Sequence, residues 1–252
     1  MVKASLIRTI VGIVGNVISL GLLISPAPTF YKIIKKKDVE EFKSDPYLAT
    51  LLNCAFWVFY GMPFVHPNST LLVTINSVGF VFEIIYLTIF YIYATNKGRK
   101  KIFIVVLVET IFFVVIVLIT LFALHGTAKR SLVVGILCDI FNVMMYTSPL
   151  TIMAKVIKTK SVKYMPFWLS LANFLNGLSW TIYAILPPFD IYVLISNGIG
   201  AVSGLVQLIL YACYCSCNGE SNEDDNKKDD LEMKPTLVTQ VSLNNGIGEA
   251  KR

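Results

Sequence analysis

Asn53, Trp57 and Tyr60 fall at i, i+4 and i+7, one face of a helix. The same residue types return on the same spacing, 123 positions later, as Asn176, Trp180 and Tyr183. Asn76 and Gly79 share another helical face, and Asn197 and Gly200 repeat that pair at an offset of 121. All of them lie in apolar stretches. An asparagine inside a membrane must find a partner or water, so symmetric pairs of them point to a central polar chamber. The chemistry is recognition. An amide carries donors and an acceptor and can meet hydroxyls of either sense. An indole offers an apolar face and one N–H. Together they suit a neutral, hydroxyl-rich ligand. The competing reading is structural: Asn also bonds between membrane helices, and Trp also marks the interface belt. The symmetry of the set favours the chamber.

These residues need helices to carry them. Hydrophobic residues are 55% of the 252 and charged residues 15%, against about a quarter charged in soluble domains. Seven apolar stretches, 8–31, 46–64, 70–93, 102–124, 132–155, 166–186 and 191–214, reach the roughly 20 residues that a helical crossing takes. The first is too long for the core of a cleavable signal and reads as a retained span. The polar, charged end of the chain reads as disordered.

Ser25-Pro26 to Val39 recurs as Ser148-Pro149 to Val162, with seven of fifteen positions identical, where chance gives roughly one. The chain is therefore two copies of a three-span unit. Lys32, Lys35, Lys36, Lys37 and Lys43 follow span 1, Lys97, Arg99, Lys100 and Lys101 follow span 3, and Lys155, Lys158, Lys160 and Lys163 follow span 5. Of the opposite loops, only the one after span 4 is basic, with Lys129 and Arg130. The positive-inside rule puts the N-terminus outside and the C-terminus in the cytoplasm. Three crossings would invert a second copy, and a fourth restores its direction. The fold class expected is thus an all-α membrane protein of seven transmembrane helices, two parallel three-helix repeats joined by a linker helix (3+1+3). The units expected are 1–95 for the first repeat, 96–128 for the linker, 129–214 for the second repeat and 215–252 for a disordered cytoplasmic tail. The basic residues are juxtamembrane, which argues against a nucleic-acid partner.

Ser25-Pro26-Ala27-Pro28-Thr29-Phe30, Leu52-Asn53-Cys54-Ala55-Phe56-Trp57, Tyr60-Gly61, Met144-Met145-Tyr146-Thr147-Ser148-Pro149, Asn176-Gly177-Leu178-Ser179-Trp180 and Ser196-Asn197-Gly198, in that order and spacing, resemble the SWEET family of sugar transporters. The parallel repeat is one for which SWEETs are themselves a standing example. The resemblance covers roughly residues 8–214 and is nearest to hexose-favouring plant members. It implies that Asn76 and Asn197 bind sugar hydroxyls, that Trp57 and Trp180 sandwich the ring, and that Asn53 and Asn176 shape the pocket. Leu22 and Met145 would be size-selecting wall residues. Pro26, Pro46, Pro149 and Pro166 look like the family's hinge tetrad, although Pro46 and Pro166 also fit ordinary helix starts. Tyr60 and Gly61 would serve an outer gate; Ala184 replaces Gly61 in the second copy.

The function expected is bidirectional facilitated diffusion of sugars, hexoses such as glucose, by alternating access. A sucrose carrier, a proton-coupled carrier and a seven-span receptor or scaffold are the rivals. Glu83, Glu109 and Asp139 are the acids within spans that coupling would draw on. The partners expected are a small sugar, the lipid bilayer and further copies of the chain, in the plasma membrane, with no cofactor and no metal. His66 and His125 read as solvated, and Asn68-Ser69-Thr70 matches a glycosylation sequon. Cys54 and Cys138 lie inside spans, while Cys213, Cys215 and Cys217 follow span 7 as inert residues or palmitoylation sites. Thr236, Thr239 and Ser242 can accept phosphate. No nucleophile, base or cofactor motif suggests an enzyme.

Overall fold

The computed structural model describes residues 2–215. The tail from residue 216, with Cys217, Thr236, Thr239 and Ser242, lies outside the described residues. Among the described residues there are helices and no β-strand: α1 (Val2–Ile24), α2 (Ala27–Lys36), α3 (Asp45–Tyr60), α4 (Thr70–Tyr93), α5 (Asn96–Leu118), α6 (Thr127–Met145), α7 (Thr147–Thr159), α8 (Phe167–Ile185) and α9 (Ile191–Tyr214). A π-helical turn, Ile119–Ala123, extends α5, and a short 3-10 turn, Val162–Tyr164, precedes α8. The seven spans are α1–α2, α3, α4, α5, α6–α7, α8 and α9.

Spans 1 and 5, expected as single helices, are each two pieces. Pro26 has no N–H to give to the Leu22 carbonyl four residues back. The Ser25 hydroxyl donates to that carbonyl instead, at 2.7 Å, and the Tyr86 hydroxyl donates to the neighbouring Leu23 carbonyl at 2.8 Å. In the second copy only Tyr146 separates α6 from α7, and Pro149 lies in the first turn of α7. The short helices end alike: Lys37 (φ 55°) and Lys160 (φ 52°) take the left-handed conformation that stops α2 and α7.

By length and composition, 3–36, 70–93, 96–123, 127–159 and 191–214 are apolar enough to cross a membrane. The remaining two spans are the second helices of each copy. α3 has only 16 residues, and α8 carries Ser170, Asn173, Asn176 and Ser179. Of these, Asn173 and Asn176 line the cavity.

The halves interlock by exchange. α1 packs on α8 of the other half, and its counterpart α6 packs on α3. Gly12 and Gly15 permit the first contact, since a Cβ at Gly12 would lie 2.9 Å from the Tyr183 ring and one at Gly15 3.1 Å from Trp180 Nε1. Within each half, α3 packs on α4 and α8 on α9. Linker α5 leans on α3 and α4, with Phe113 against Phe56 at 5.2 Å and Phe56 stacked on Phe141 of α6 at 5.1 Å. Of the α5 residues only Ile102 is buried, so most of this helix faces lipid. Arg130 closes its π-helical end, donating to the carbonyls of Leu121, Leu124 and, across the bundle, Phe64.

The α8–α9 pair is the tightest seam. A Cβ at Gly177 would lie 2.6 Å from the Ala201 backbone nitrogen, and backbone cannot swing aside. Gly177→Ala is therefore expected to destabilise by about 1–3 kcal/mol, read as a lower melting temperature in detergent. Gly198→Ala, with nothing within 4 Å of its built Cβ, is expected to be neutral or stabilising.

Candidate functional site

A cavity of about 470 Å³ lies between the halves, within the size range of small-ligand sites. Its walls run from Leu72, Trp57 and Trp180 to Pro26, Pro46 and Pro149 near the lysine-rich ends of the spans. Asn53, Asn176, Asn76 and Asn197 all line it, as do Leu22 and Met145. Gly79 is on the wall, where a Cβ would come 3.0 Å from Cys54 Sγ. Gly200 instead receives Tyr146, whose hydroxyl would be 2.5 Å from a Cβ there and donates to the Ser196 carbonyl at 2.9 Å.

The asparagines differ in what they bond. Asn76 Nδ2 donates to the Leu72 carbonyl and Asn197 Nδ2 to the Val193 carbonyl, each four residues back and each at 2.9 Å. Neither of these bonds joins two helices. One amide hydrogen and the carbonyl oxygen of each side chain take no part in them. Asn176 does bond across the halves: its Oδ1 accepts from Ser19 of α1 at 2.6 Å, and Trp180 Nε1 donates to the same Ser19 oxygen at 3.3 Å. Against α3 the counterpart of Ser19 is Asn142 of α6, and Asn53 Oδ1 is buried with no partner among the described residues. The two copies thus set out the same residues and wire one wall more firmly.

The family model for "Sugar efflux transporter for intercellular exchange" matches the chain twice, at residues 9–98 and 132–219, one match to each repeat. The chain belongs to the SWEET family. It is 56% identical to "Bidirectional sugar transporter SWEET5" of Arabidopsis thaliana, over 88% of this chain and 92% of that one. It is 52% identical to "Bidirectional sugar transporter SWEET4" of the same plant over 100% of this chain and 99% of the relative. A solved structure of a eukaryotic SWEET transporter superposes with TM-score 0.81 at 35% identity, covering 85% of this chain and 99% of the other.

Opposite the lysine-rich end, this SWEET is closed by polar contacts. Tyr60 is fully buried, and its hydroxyl donates to Asp190 Oδ1 at 2.9 Å. The same oxygen caps α9 by accepting from the Tyr192 and Val193 backbone amides, both at 3.2 Å. Asp190 Oδ2 receives no well-aligned hydrogen bond, but His66 Nε2 faces it at 3.2 Å. His66 therefore departs from the solvated histidine expected: only 21% of its side chain is exposed, and its ring stacks on Tyr60 at 4.7 Å. Its Nδ1 lies 3.0 Å from the Ser131 oxygen, whose own proton goes to the Val65 carbonyl. The two ring nitrogens thus face the Asp190 carboxylate on one side and the Ser131 hydroxyl on the other. Beside Tyr183, the repeat partner of Tyr60, the counterpart of Ser131 is Arg8 of α1. It stacks over Tyr183 at 3.9 Å and donates to the Tyr183 and Asn68 carbonyls. Asp190 and Arg8 had no signal in residue spacing; Asp190 is singled out only as an acid where a helix begins. His125 is exposed.

Pro46 lies in the first turn of α3, and Pro166 is the residue before α8. Both are helix starts, the alternative their positions allowed, and Pro166 is not on the cavity wall. A Cβ on Gly61 would meet Val73 at 2.5 Å, so the end of α3 presses on α4 there. Among the intramembrane acids, Asp139 accepts a short hydrogen bond from Ser196, Glu109 lies on linker α5, and Glu83 lines the cavity. Cys54 and Cys138 are buried free thiols, and Cys213 and Cys215 are exposed.

Ser19→Ala would leave both Asn176 Oδ1 and Trp180 Nε1 without this partner, a loss of about 1–3 kcal/mol. Asn76→Ala removes a bond within one helix and is expected to cost less than about 1 kcal/mol. Thermal melts of the two variants side by side check the ordering.

Proposed function

We propose that this chain is a uniporter for hexoses that works by alternating access across the plasma membrane, with its N-terminus outside and its lysine-rich loops and C-terminus in the cytoplasm. One observation carries this reading. Asn76 and Asn197 occupy equivalent places on the cavity wall and give their recorded hydrogen bonds only to their own helices. That leaves an acceptor and a donor on each side for a neutral polyol. Trp57 and Trp180 supply the flat apolar faces that a pyranose ring stacks on. The relatives' names, bidirectional sugar transporters, support the class of substrate.

A hexose is favoured over a disaccharide because Asn53 and Asn176, with Leu22 and Met145, narrow the cavity from both halves. Pro26 and Pro149 act as hinges at the helix breaks, with Pro46 and Pro166 marking where the second helices begin to move. Tyr60 and Asp190 hold the outer side shut, backed by Gly61, while the cavity faces the cytoplasm. In keeping with the family resemblance, the chain associates as a homo-oligomer, and residues 1–95, 96–128 and 129–214 serve as repeat, linker and repeat.

Asn76→Ala and Asn197→Ala are each expected to reduce labelled glucose flux at least tenfold in a transport-deficient cell, at unchanged surface expression. Wild-type flux in both variants would remove the assigned site. Labelled sucrose, offered in parallel, is expected to move far more slowly than glucose in the wild type; equal rates would overturn the hexose assignment.

Tyr60→Phe deletes a hydrogen bond to a carboxylate, worth about 1.5–3 kcal/mol. Cys54, on the cavity wall, then becomes the reporter. Its labelling by a membrane-impermeant thiol reagent applied outside is expected to accelerate about tenfold or more, and an unchanged rate would dismiss the gate.

A further inference from the structure

Along α4, Asn76, Gly79 and Glu83 fall at i, i+3 and i+7, so they share a face, and all three line the cavity. At 1.5 Å per residue Glu83 sits about 10 Å further toward the lysine-rich end than Asn76. The residue is only 5% exposed, and its Oε2 is buried with no hydrogen-bond partner among the described residues. A buried polar oxygen without a partner is costly, and the residue that carries it lines the cavity. The other half cannot supply an equivalent. Gly204 stands at the matching position, where a Cβ would come 2.8 Å from the Phe174 backbone. One turn further along α9, Gln207 lines the cavity instead, its Oε1 accepting from the buried Ser170 hydroxyl at 3.0 Å. That bond orients the amide and leaves its N–H groups to the wall. The first half has no such amide, because Tyr86 holds the matching place and gives its hydroxyl proton to Leu23.

We infer that Glu83 and Gln207 form a second hydroxyl-binding station for the sugar, between the asparagine pair and the cytoplasmic mouth. Glu83 accepts from a sugar hydroxyl, and Gln207 donates to one. The station rests on the transport reading above and adds sidedness to it. Sugar arriving from the cytoplasm meets these groups first, whereas sugar arriving from outside reaches the asparagines first. A station off the crossing step holds the ground state and not the transition state, so it sets KM at one face and leaves Vmax/KM unchanged.

The test is zero-trans flux of labelled glucose in proteoliposomes of known orientation, measured from each face, with thermal melts as the folding control. Wild-type protein that carries no sugar would sink the transport reading itself, whatever the variants do. With wild-type flux present, Glu83→Ala is expected to raise KM at the cytoplasmic face about fivefold, with the maximal rate rising in step, and to change the outer KM less than twofold. Glu83→Gln keeps an acceptor oxygen and is expected to recover most of the difference. Gln207→Ala is expected to shift the same KM in the same direction. Equal KM changes at both faces, or a lower maximal rate at constant KM, would overturn the station in favour of a packing role. A cytoplasmic-face KM in wild type that depends on sodium, potassium or an imposed pH gradient would overturn it in favour of a cation or proton held at Glu83.

Discussion

An amide inside a lipid-embedded bundle must direct its hydrogen bonds somewhere, and where each one goes organises this molecule. Asn76 and Asn197 each turn one donor back onto their own helix. That makes them tolerable in the membrane without tying two helices together. Asn176 does the reverse and reaches across to Ser19 of the other half. Both kinds of asparagine line the cavity, and Asn176 also ties the seam between the halves. The difference is invisible in residue type. It arises because α1, made slim by Gly12 and Gly15, comes close enough to α8 for Ser19 to meet both Asn176 and Trp180.

The same economy shapes the helix breaks. A proline in a membrane helix exposes carbonyls that nothing in lipid can satisfy. Ser25 answers one of them from the adjacent position, and Tyr86 answers the next from α4. The break in span 1 is thus fastened to the helix that carries Asn76. Any bending at Ser25-Pro26 would work against a bond into the helix that lines the cavity. The second copy keeps the serine and the proline but closes its break around Tyr146, whose hydroxyl goes to α9 at Ser196, next to Asn197. Different residues fasten the equivalent break to the equivalent helix.

Much of this was legible in the sequence. The 123-residue repeat implied the parallel halves and the need for a linker, and the i, i+4 spacing put Asn53 and Trp57 on one face of α3 and Asn176 and Trp180 on one face of α8, both of which line the cavity. Spans 3 and 7 end where hydropathy ends them. What could not be read depends on long-range geometry. The ring of Tyr60, His66 and Asp190 joins residues up to 130 positions apart, and the equivalence of Arg8 and Ser131 hides two unlike side chains behind one repeat position. His66 looks solvated when only its loop is considered. It becomes part of a buried cluster once α9 begins beside it with an uncapped amide pair for Asp190 to hold. The division of span 1 was also illegible in extent, because a proline in an apolar run fits either a kink or a break, and only the neighbours' hydroxyls decide.

The repeat axis runs along the membrane normal, so it relates the halves to each other and does not relate inside to outside. The two mouths are accordingly built from different physics. At the end opposite the lysine-rich loops the contacts are specific and polar: a carboxylate held by a tyrosine, two amides and an imidazole, and an arginine stacked on the opposing tyrosine. At the lysine-rich end stand the backbone breaks and an aromatic cluster in which Phe30 stacks on Tyr86 at 4.2 Å. If the bundle alternates as proposed, the two closures must be nearly equal in free energy, since a gap of several kcal/mol would strand the carrier on one side. Hydrogen bonds to a charged group contribute about 1.5–3 kcal/mol each, so the outer latch must be short. It is confined to a few residues, and the apolar contacts formed at the inner mouth have only that small cluster to match.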